Sequence, residues 1–313
     1  MVLTYLSAMK ESYHICFTSH NEVMFRSEED HGAFLNLAAL RCFATDTELI
    51  AEAEMSTHAH LNIFTNFPMK YASLLRMSYT RYFNHKYGRK GRFGEKYTYS
   101  LKVDGFNHQM VLENYILRNG LHHGAAATAF GYKYCSAREM FKEDLGFPGE
   151  TAHSFSREEM ASCLPRHAVF PDQYVMNSNG VFLRSSFMEI RKAEQYYGSP
   201  RNFLYQMNRL TDESWSRDQM SDNTGAPITL SDIEPADEKS ISQLLKNESG
   251  RFFSRSRMQD LDLCLLIDNQ LCKPFGAASA YDLTDTQKQR IAKHLYYDLR
   301  LPEAQIKRCL VMV

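Results

Sequence analysis

Two histidines separated by a single residue are the sharpest chemical feature of this chain. In the segment Met55-Ser-Thr-His58-Ala59-His60-Leu61-Asn62-Ile63-Phe64 the pattern is that of a strand. Strand side chains alternate, so His58 and His60 face the same way. Their Cα atoms then stand roughly 6.5–7 Å apart, at about 3.3 Å rise per residue. Two imidazoles at that spacing can converge on one cation. A solvated strand face, or two core histidines each with a hydrogen-bond partner, would give the same spacing.

Tyr115 and Asn119 form a second pair. Four residues apart on a helix, they lie on one face, with Cβ atoms about 5–6 Å apart. A hydroxyl nucleophile then sits beside an amide whose oxygen can reach a metal. The plainer alternative is a tyrosine anchoring its helix and an asparagine near the helix end. A third feature runs from Met69 to Lys102, where nine Lys/Arg face the single Glu95. Eight of the cations are Lys70, Arg76, Arg81, Lys86, Arg89, Lys90, Arg92 and Lys96. Tyr71, Tyr79, Tyr82, Phe83, Tyr87, Phe93, Tyr97 and Tyr99 are interleaved with them. Cations for phosphates and flat rings for unstacked bases are what single-stranded nucleic acid requires. A solvated helix face over core aromatics reads the same way.

These residues need a scaffold, and the first 140 residues supply a mixed one. Tyr13–Ser19 alternates as a strand. Ser27–Ala44 opens with acidic residues and continues as an amphipathic helix. Glu48–Met55 and His58–Phe64 are strands meeting near Ser56-Thr57. A helix follows over about Lys70–Tyr87, then a strand at Tyr97–Val103 and a helix at about Asn107–Asn119, with Gly120 as its stop. No regular βαβ spacing occurs, so the expected class is α+β, with helices packed on an antiparallel sheet.

Four regions are expected: a 1–140 α+β domain, a mixed and mostly helical 141–210, an acidic linker at 211–240 and a helical 241–313. Ser154–Cys163 and Ser186–Tyr197 read as helices, with a turn at Asn177-Ser-Asn-Gly180. Thr211–Ser240 carries eight Asp/Glu against two Lys/Arg, with Gly225, Pro227 and Pro235. Thr284–Leu299 reads as a helix, and Pro302 falls where a first helical position should be. Such a pair of helices is a helix-turn-helix candidate or plain helical packing.

Composition removes several classes. In 313 residues, 36 Lys/Arg against 37 Asp/Glu give a net charge of −1, so any nucleic-acid surface is local. No run of 18 apolar residues occurs, which excludes a spanning helix, and the N-terminus lacks a secretory pattern. Seven scattered cysteines with no CxxC suggest neither a zinc ribbon nor a disulfide framework. Free thiols in a reducing cytoplasm are the expectation.

Taken in order, these segments resemble the single-tyrosine HUH transposases, and within them the REP-associated branch. Tyr13-His-Ile with Phe25 and Asp30 is similar to the family's opening strand and helix start. Met55-Ser-Thr-His58-Ala59-His60-Leu61 looks like its Met-Pro-Asn-His-x-His-Leu segment. Arg81-Tyr82-Phe83-Asn84 with Tyr87, Arg89, Gly91 and Phe93 resembles its Arg-Tyr-x-Asn…Arg-x-Gly-x-Leu/Phe stretch. Tyr115-Ile-Leu-Arg-Asn119-Gly-Leu-His-His-Gly124 resembles its Tyr-Ile-x-x-Asn-Pro-x-x-x-Gly. The resemblance covers about residues 5–135. It departs at Ser56-Thr57, where the family has Pro-Asn, and at Gly120, where it has Pro.

The resemblance implies a ferredoxin-like catalytic domain, with the histidines on a central strand and the tyrosine on a helix across it. It implies a metal-dependent transposase that cuts and rejoins single-stranded or hairpin DNA. Tyr115 would be the nucleophile, through a 5′-phosphotyrosine intermediate. His58, His60 and Asn119 would hold a divalent metal. Ligand softness alone would let two imidazoles select zinc; the resemblance implies Mg²⁺ or Mn²⁺, hard ions suited to an open site taking phosphate oxygens. His122 and His123 read as surface or phosphate-contacting residues. A homodimer is compatible with all of this. The competing readings are a DNA-binding protein on the same fold without catalysis, and an unrelated hydrolase using the two histidines.

Overall fold

The computed structural model describes residues 10–19, 22–94, 98–208 and 258–312. The expected linker at 211–240 lies outside the described residues. The first half runs β1 (Glu11–Thr18), α1 (Glu28–Ala44), β2 (Glu48–Glu54), β3 (His58–Thr65), α2 (Pro68–Tyr87) and β4 (Tyr99–Val103). The four strands form an antiparallel sheet in the order β2-β3-β1-β4. That βαββαβ order, with β3 and β1 central, is the ferredoxin-like arrangement. The fold is therefore α+β, as the sequence leads one to expect.

Each face of the sheet is covered because each strand alternates. One face carries Ile15, Phe17, Leu61 and Ile63 and packs on Phe34 of α1 and on Tyr71, Leu75, Tyr79 and Phe83 of α2. Those α2 residues recur every four positions, which lays them along one stripe and leaves the cations on the outside. α1 starts where the Asp30 carboxylate reaches back to the backbone N–H of Ser27 at 3.0 Å and of Arg26 at 2.8 Å. Asp30 is wholly buried, and Tyr82, Tyr87 and Lys86 all donate to it, which ties the start of α1 to the end of α2.

The opposite face is covered by α3 (Phe106–Leu117), which continues almost directly into α4 (Asn119–His122). The helix does not stop at Gly120. A Cβ there would stand 2.4 Å from Cβ of Tyr132, so glycine lets that ring pack against the helix. Gly124, at φ 68°, takes the left-handed turn after it instead.

Residues after 140 wrap both layers. α5 (Arg157–Cys163) starts from a Ser156–Glu159 capping box. α6 (Arg184–Phe187), α7 (Ile190–Tyr197) and α8 (Pro200–Asn208) follow. Met176, Phe182, Phe187 and Met188 join the α1–α2 core, whereas Ala193, Tyr197, Phe203 and Met207 pack with α3. The helix expected at Ser186–Tyr197 is thus interrupted after Phe187.

The last unit contains α9 (Asp260–Leu266), α10 (Asp285–Tyr297) and α11 (Glu303–Cys309) around Leu263, Ile267, Ile291, Leu295, Leu301, Ile306 and Leu310. Pro302 occupies the position before α11, one residue earlier than expected. The unit docks on the β1–α1 connection. Val23 enters its core, and the buried Arg26 grips Asp268 through two nitrogens at 3.0 and 2.7 Å and the Cys309 carbonyl at 2.8 Å. Arg89 and Tyr281 both bind Glu22 beside it. Among the described residues, no helix is long and apolar enough to cross a membrane.

Arg26→Ala would leave Asp268 without its charge partner and open the contact between the two units. Urea unfolding is expected to show a loss of about 3–5 kcal/mol. A loss well under about 1 kcal/mol, the size of an exposed pair, would contradict this anchoring role.

Candidate active site

The β1–β3 register decides which side chains meet. Cys16 lies opposite His60, Thr18 opposite His58 and His14 opposite Asn62. Residues directly opposite point to the same face. His14, His58, His60 and Asn62 therefore form one patch, and α3 lies over it. His58 is 3% exposed and His60 is fully buried, so the solvated-face reading does not hold.

Around His60 the contacts are close. Its Nδ1 is 2.9 Å from Nε2 of His14, and its Nε2 is 3.4 Å from the Tyr115 hydroxyl. The His58 and His60 rings meet edge to face at 4.9 Å between centroids, and His58 meets His123 at 5.2 Å. Tyr115, Asn119 and His123 are spaced four by four along the α3–α4 path. One end of that stripe touches His60 and the other touches His58. The sequence pairing of Tyr115 with the two histidines is thus realised in space.

Asn119 lies between those two contacts in the chain. It is fully buried, and neither atom of its amide has a hydrogen-bond partner among the described residues. A buried amide costs free energy unless something takes its hydrogen bonds. Two imidazoles and an orphaned amide oxygen fit a divalent cation as an incomplete donor set. Among the described residues no three His, Cys, Asp or Glu are arranged to hold an ion. An ion held by two imidazoles and one amide oxygen would need further oxygens from a substrate or water.

Burial controls the charge of the patch. It drives the His14 imidazole down to about 3. His60 falls well below its ordinary value for the same reason, aided by the neighbouring His58. Both rings are neutral at physiological pH, the state in which an imidazole can ligate a metal. A polar chain continues under α3. The Ser12 hydroxyl contacts Gln109 at 2.6 Å and Asn62 at 3.2 Å, and Gln109 donates to Glu113 at 3.0 Å. Glu113 is fully buried with one oxygen unpartnered, and burial raises its carboxyl to about 8.

The basic segment is divided. Lys70, Arg76 and Arg81 lie on α2, the layer across the sheet from the histidines. Lys86 is paired with Glu29 and Asp30, and Arg89 with Glu22. Lys90 and Arg92 are exposed on the loop after α2. That loop returns to the site: a Cβ on Gly94 would stand 1.8 Å from the carbonyl oxygen of Thr18, the residue opposite His58. With φ at +57°, only glycine fits there without strain. Lys96 lies outside the described residues.

Two neighbours of the site were not legible as such. His14 is a single histidine in an alternating strand, and only the register brings it to His60. Of the surface and phosphate-contacting roles read for His123, the surface one does not hold: the helix continues past Gly120 and buries it. The last unit also reaches this region. Gln259 donates to the Ala125 carbonyl at 3.4 Å, and Asp260 beside it opens α9. Burial would raise the Asp260 carboxyl, but the Arg308 guanidinium outweighs it and holds the group below its usual value.

No protein-family model matches the chain, and no curated protein matches it. Among solved structures, a REP-associated tyrosine transposase bound to a REP hairpin is similar over 50% of this chain and 95% of its own. The identity is 11% and the TM-score 0.37. A likeness of that size carries no residue's role across.

Glu113 gives a pH signature. Its carboxyl rises from 4.5 in a model peptide to about 8 in the fold, so between those values the folded protein holds a proton that the unfolded chain has lost. Stability from this group is full below about 4.5 and is lost as pH rises towards 8. Glu113→Gln is expected to flatten that fall in melting temperature and to be the more stable form at pH 8.5. Identical pH profiles for the two proteins would contradict the assignment.

Proposed function

We propose that this chain cleaves and rejoins single-stranded DNA, hairpin-bearing strands in particular, through a covalent link at Tyr115. The observation that carries the reading is the Tyr115 hydroxyl at 3.4 Å from Nε2 of His60, on a helical path that goes on through Asn119 to His123, whose ring meets His58. The order and spacing of the His58-x-His60, Arg81-Tyr82 and Tyr115…Asn119 segments support it independently.

In the proposed reaction the Tyr115 oxygen attacks a backbone phosphorus. A phosphorus–oxygen bond to tyrosine forms as the bond to the 3′-oxygen breaks. The phenol proton passes to water, and water returns one to the leaving 3′-oxygen. The reverse step, attack by a 3′-hydroxyl on the phosphotyrosine, rejoins strands with no external energy source. Near pH 7 only about one part in a thousand of an ordinary tyrosine is phenolate, so the site must help. His58, His60 and Asn119 would hold Mg²⁺ or Mn²⁺, whose Lewis acidity stabilises charge gathering on the scissile phosphate.

The chain's own residues do the rest. Until a cation takes Nε2 of His60, that nitrogen holds the Tyr115 hydroxyl in place. The 2% exposure of Tyr115 keeps its oxygen from water until a strand enters, which requires α3–α4 to move outward. Lys90 and Arg92 are the exposed cations that a strand approaching the His58 end of the sheet would meet. Lys70, Arg76 and Arg81 suit flanking phosphates on the α2 side.

The same burial of Tyr115 favours a second reading, a protein that binds hairpin DNA without cutting it. A labelled hairpin strand incubated with Mn²⁺ and run on a denaturing gel separates the two. A retarded covalent band is expected, absent in Tyr115→Phe and in His58→Ala/His60→Ala. Tight binding with no such band for any of a varied set of hairpins would leave the binding-only reading.

A further inference from the structure

His14 touches the centre of the site from a third direction. It stands on β1, diagonal to His60 across the ladder, and is fully buried. The two ring planes are 19° apart and the rings meet edge to edge, with centroids 5.1 Å apart and Nε2 of His14 at 2.9 Å from Nδ1 of His60. Tyr99 of β4 closes the outer side of His14, ring to ring at 5.8 Å. Pairing with β3 on one side and β4 on the other fixes the backbone of His14, so its ring has little freedom to leave.

Two ring nitrogens at hydrogen-bond distance hold one proton between them, because two N–H groups or two lone pairs would repel. If the proton sits on His14, the neutral His60 must carry its own proton on Nε2. That nitrogen could then neither bind a cation nor accept a hydrogen bond from Tyr115. If the proton sits on Nδ1 of His60, the lone pair on Nε2 is bare towards Tyr115. A ligating imidazole needs the second arrangement, and such rings characteristically donate their other N–H to a fixed acceptor.

We propose that His14 is a positioning residue: its Nε2 accepts the Nδ1–H of His60 and fixes the tautomer that leaves Nε2 of His60 open to a divalent cation beside Tyr115. The inference rests on the reading of His58, His60 and Asn119 as the cation-holding set. A second observation supports it. The Nδ1 of His14 is buried and has no hydrogen-bond partner among the described residues. An orphan of that kind costs stability, so stability alone does not account for a histidine here.

Replacing His14 separates positioning from structure. His14→Leu exchanges one orphaned ring nitrogen, on His14, for another on His60, so the melting temperature should hardly move. His14→Gln keeps an acceptor in reach of the same proton. Mn²⁺ titrated against the full chain, followed by water-proton relaxation, is expected to bind about 10–100-fold more weakly to His14→Leu and close to normally to His14→Gln. In the metal-free wild type, two-bond proton–nitrogen NMR of the imidazoles should show the His60 proton on Nδ1. In His14→Leu it should move wholly or partly to Nε2.

The inference is overturned if the wild-type proton lies on Nε2, if His14→Leu binds Mn²⁺ as the wild type does, or if His14→Gln fails to restore binding while melting like the wild type. A wild type that binds no Mn²⁺ would instead sink the cation reading. The metal-free spectrum would still decide whether His14 takes the His60 proton.

Discussion

Antiparallel pairing of β1 with β3 is the constraint on which the site depends. The register Thr18 to His58, Cys16 to His60 and His14 to Asn62 puts three imidazoles on one face of the two central strands. A slip of one residue would turn β3 over and send His58 and His60 into the α1–α2 core. The register is held because the other face carries Ile15, Phe17, Leu61 and Ile63, all buried, which cannot turn to the polar side without losing that core. The apolar layer on one side thus specifies the geometry of the polar layer on the other.

The polar face is expensive by the same measure. His14, His58, His60, Asn62, Gln109, Glu113 and Asn119 lie under or within α3–α4 with little access to water. Buried groups of this kind are stabilising only where their hydrogen bonds are made, and several are not. His14, Glu113 and Asn119 each keep at least one atom without a partner among the described residues. Aliphatic side chains at these positions would pack at lower cost, and sites that break the packing rules in this way are where function is expected. Asn119 is the most telling, since its whole amide is orphaned between the helix turns that carry Tyr115 and His123.

Much of this was legible in the residues. Alternation announced β1 and β3, so the shared orientation of His58 and His60 followed from strand geometry. The four-residue spacing of Tyr115 and Asn119 gave the shared helix face. What escaped was non-local. His14 is 46 positions from His60, and no local period reveals a diagonal contact across a ladder. His123 was misplaced because Gly120 reads as a helix stop, whereas here the missing side chain accommodates Tyr132. The charges of the basic segment were plain, but not that α2 would carry Lys70, Arg76 and Arg81 to the far layer. Nor does any local pattern show that Gln259 reaches the Ala125 carbonyl, just past the turn that ends α4.

The central claim is that Tyr115 becomes covalently joined to DNA, and the most direct measurement is mass spectrometry of the site itself. After reaction with hairpin DNA and Mn²⁺, nuclease trimming and tryptic digestion, the peptide 103–118 contains Tyr115 as its only tyrosine. That peptide should carry the added mass of a 5′-nucleotide, with fragmentation placing it on Tyr115. An unmodified 103–118 peptide beside a nucleotide on some other residue would contradict the account.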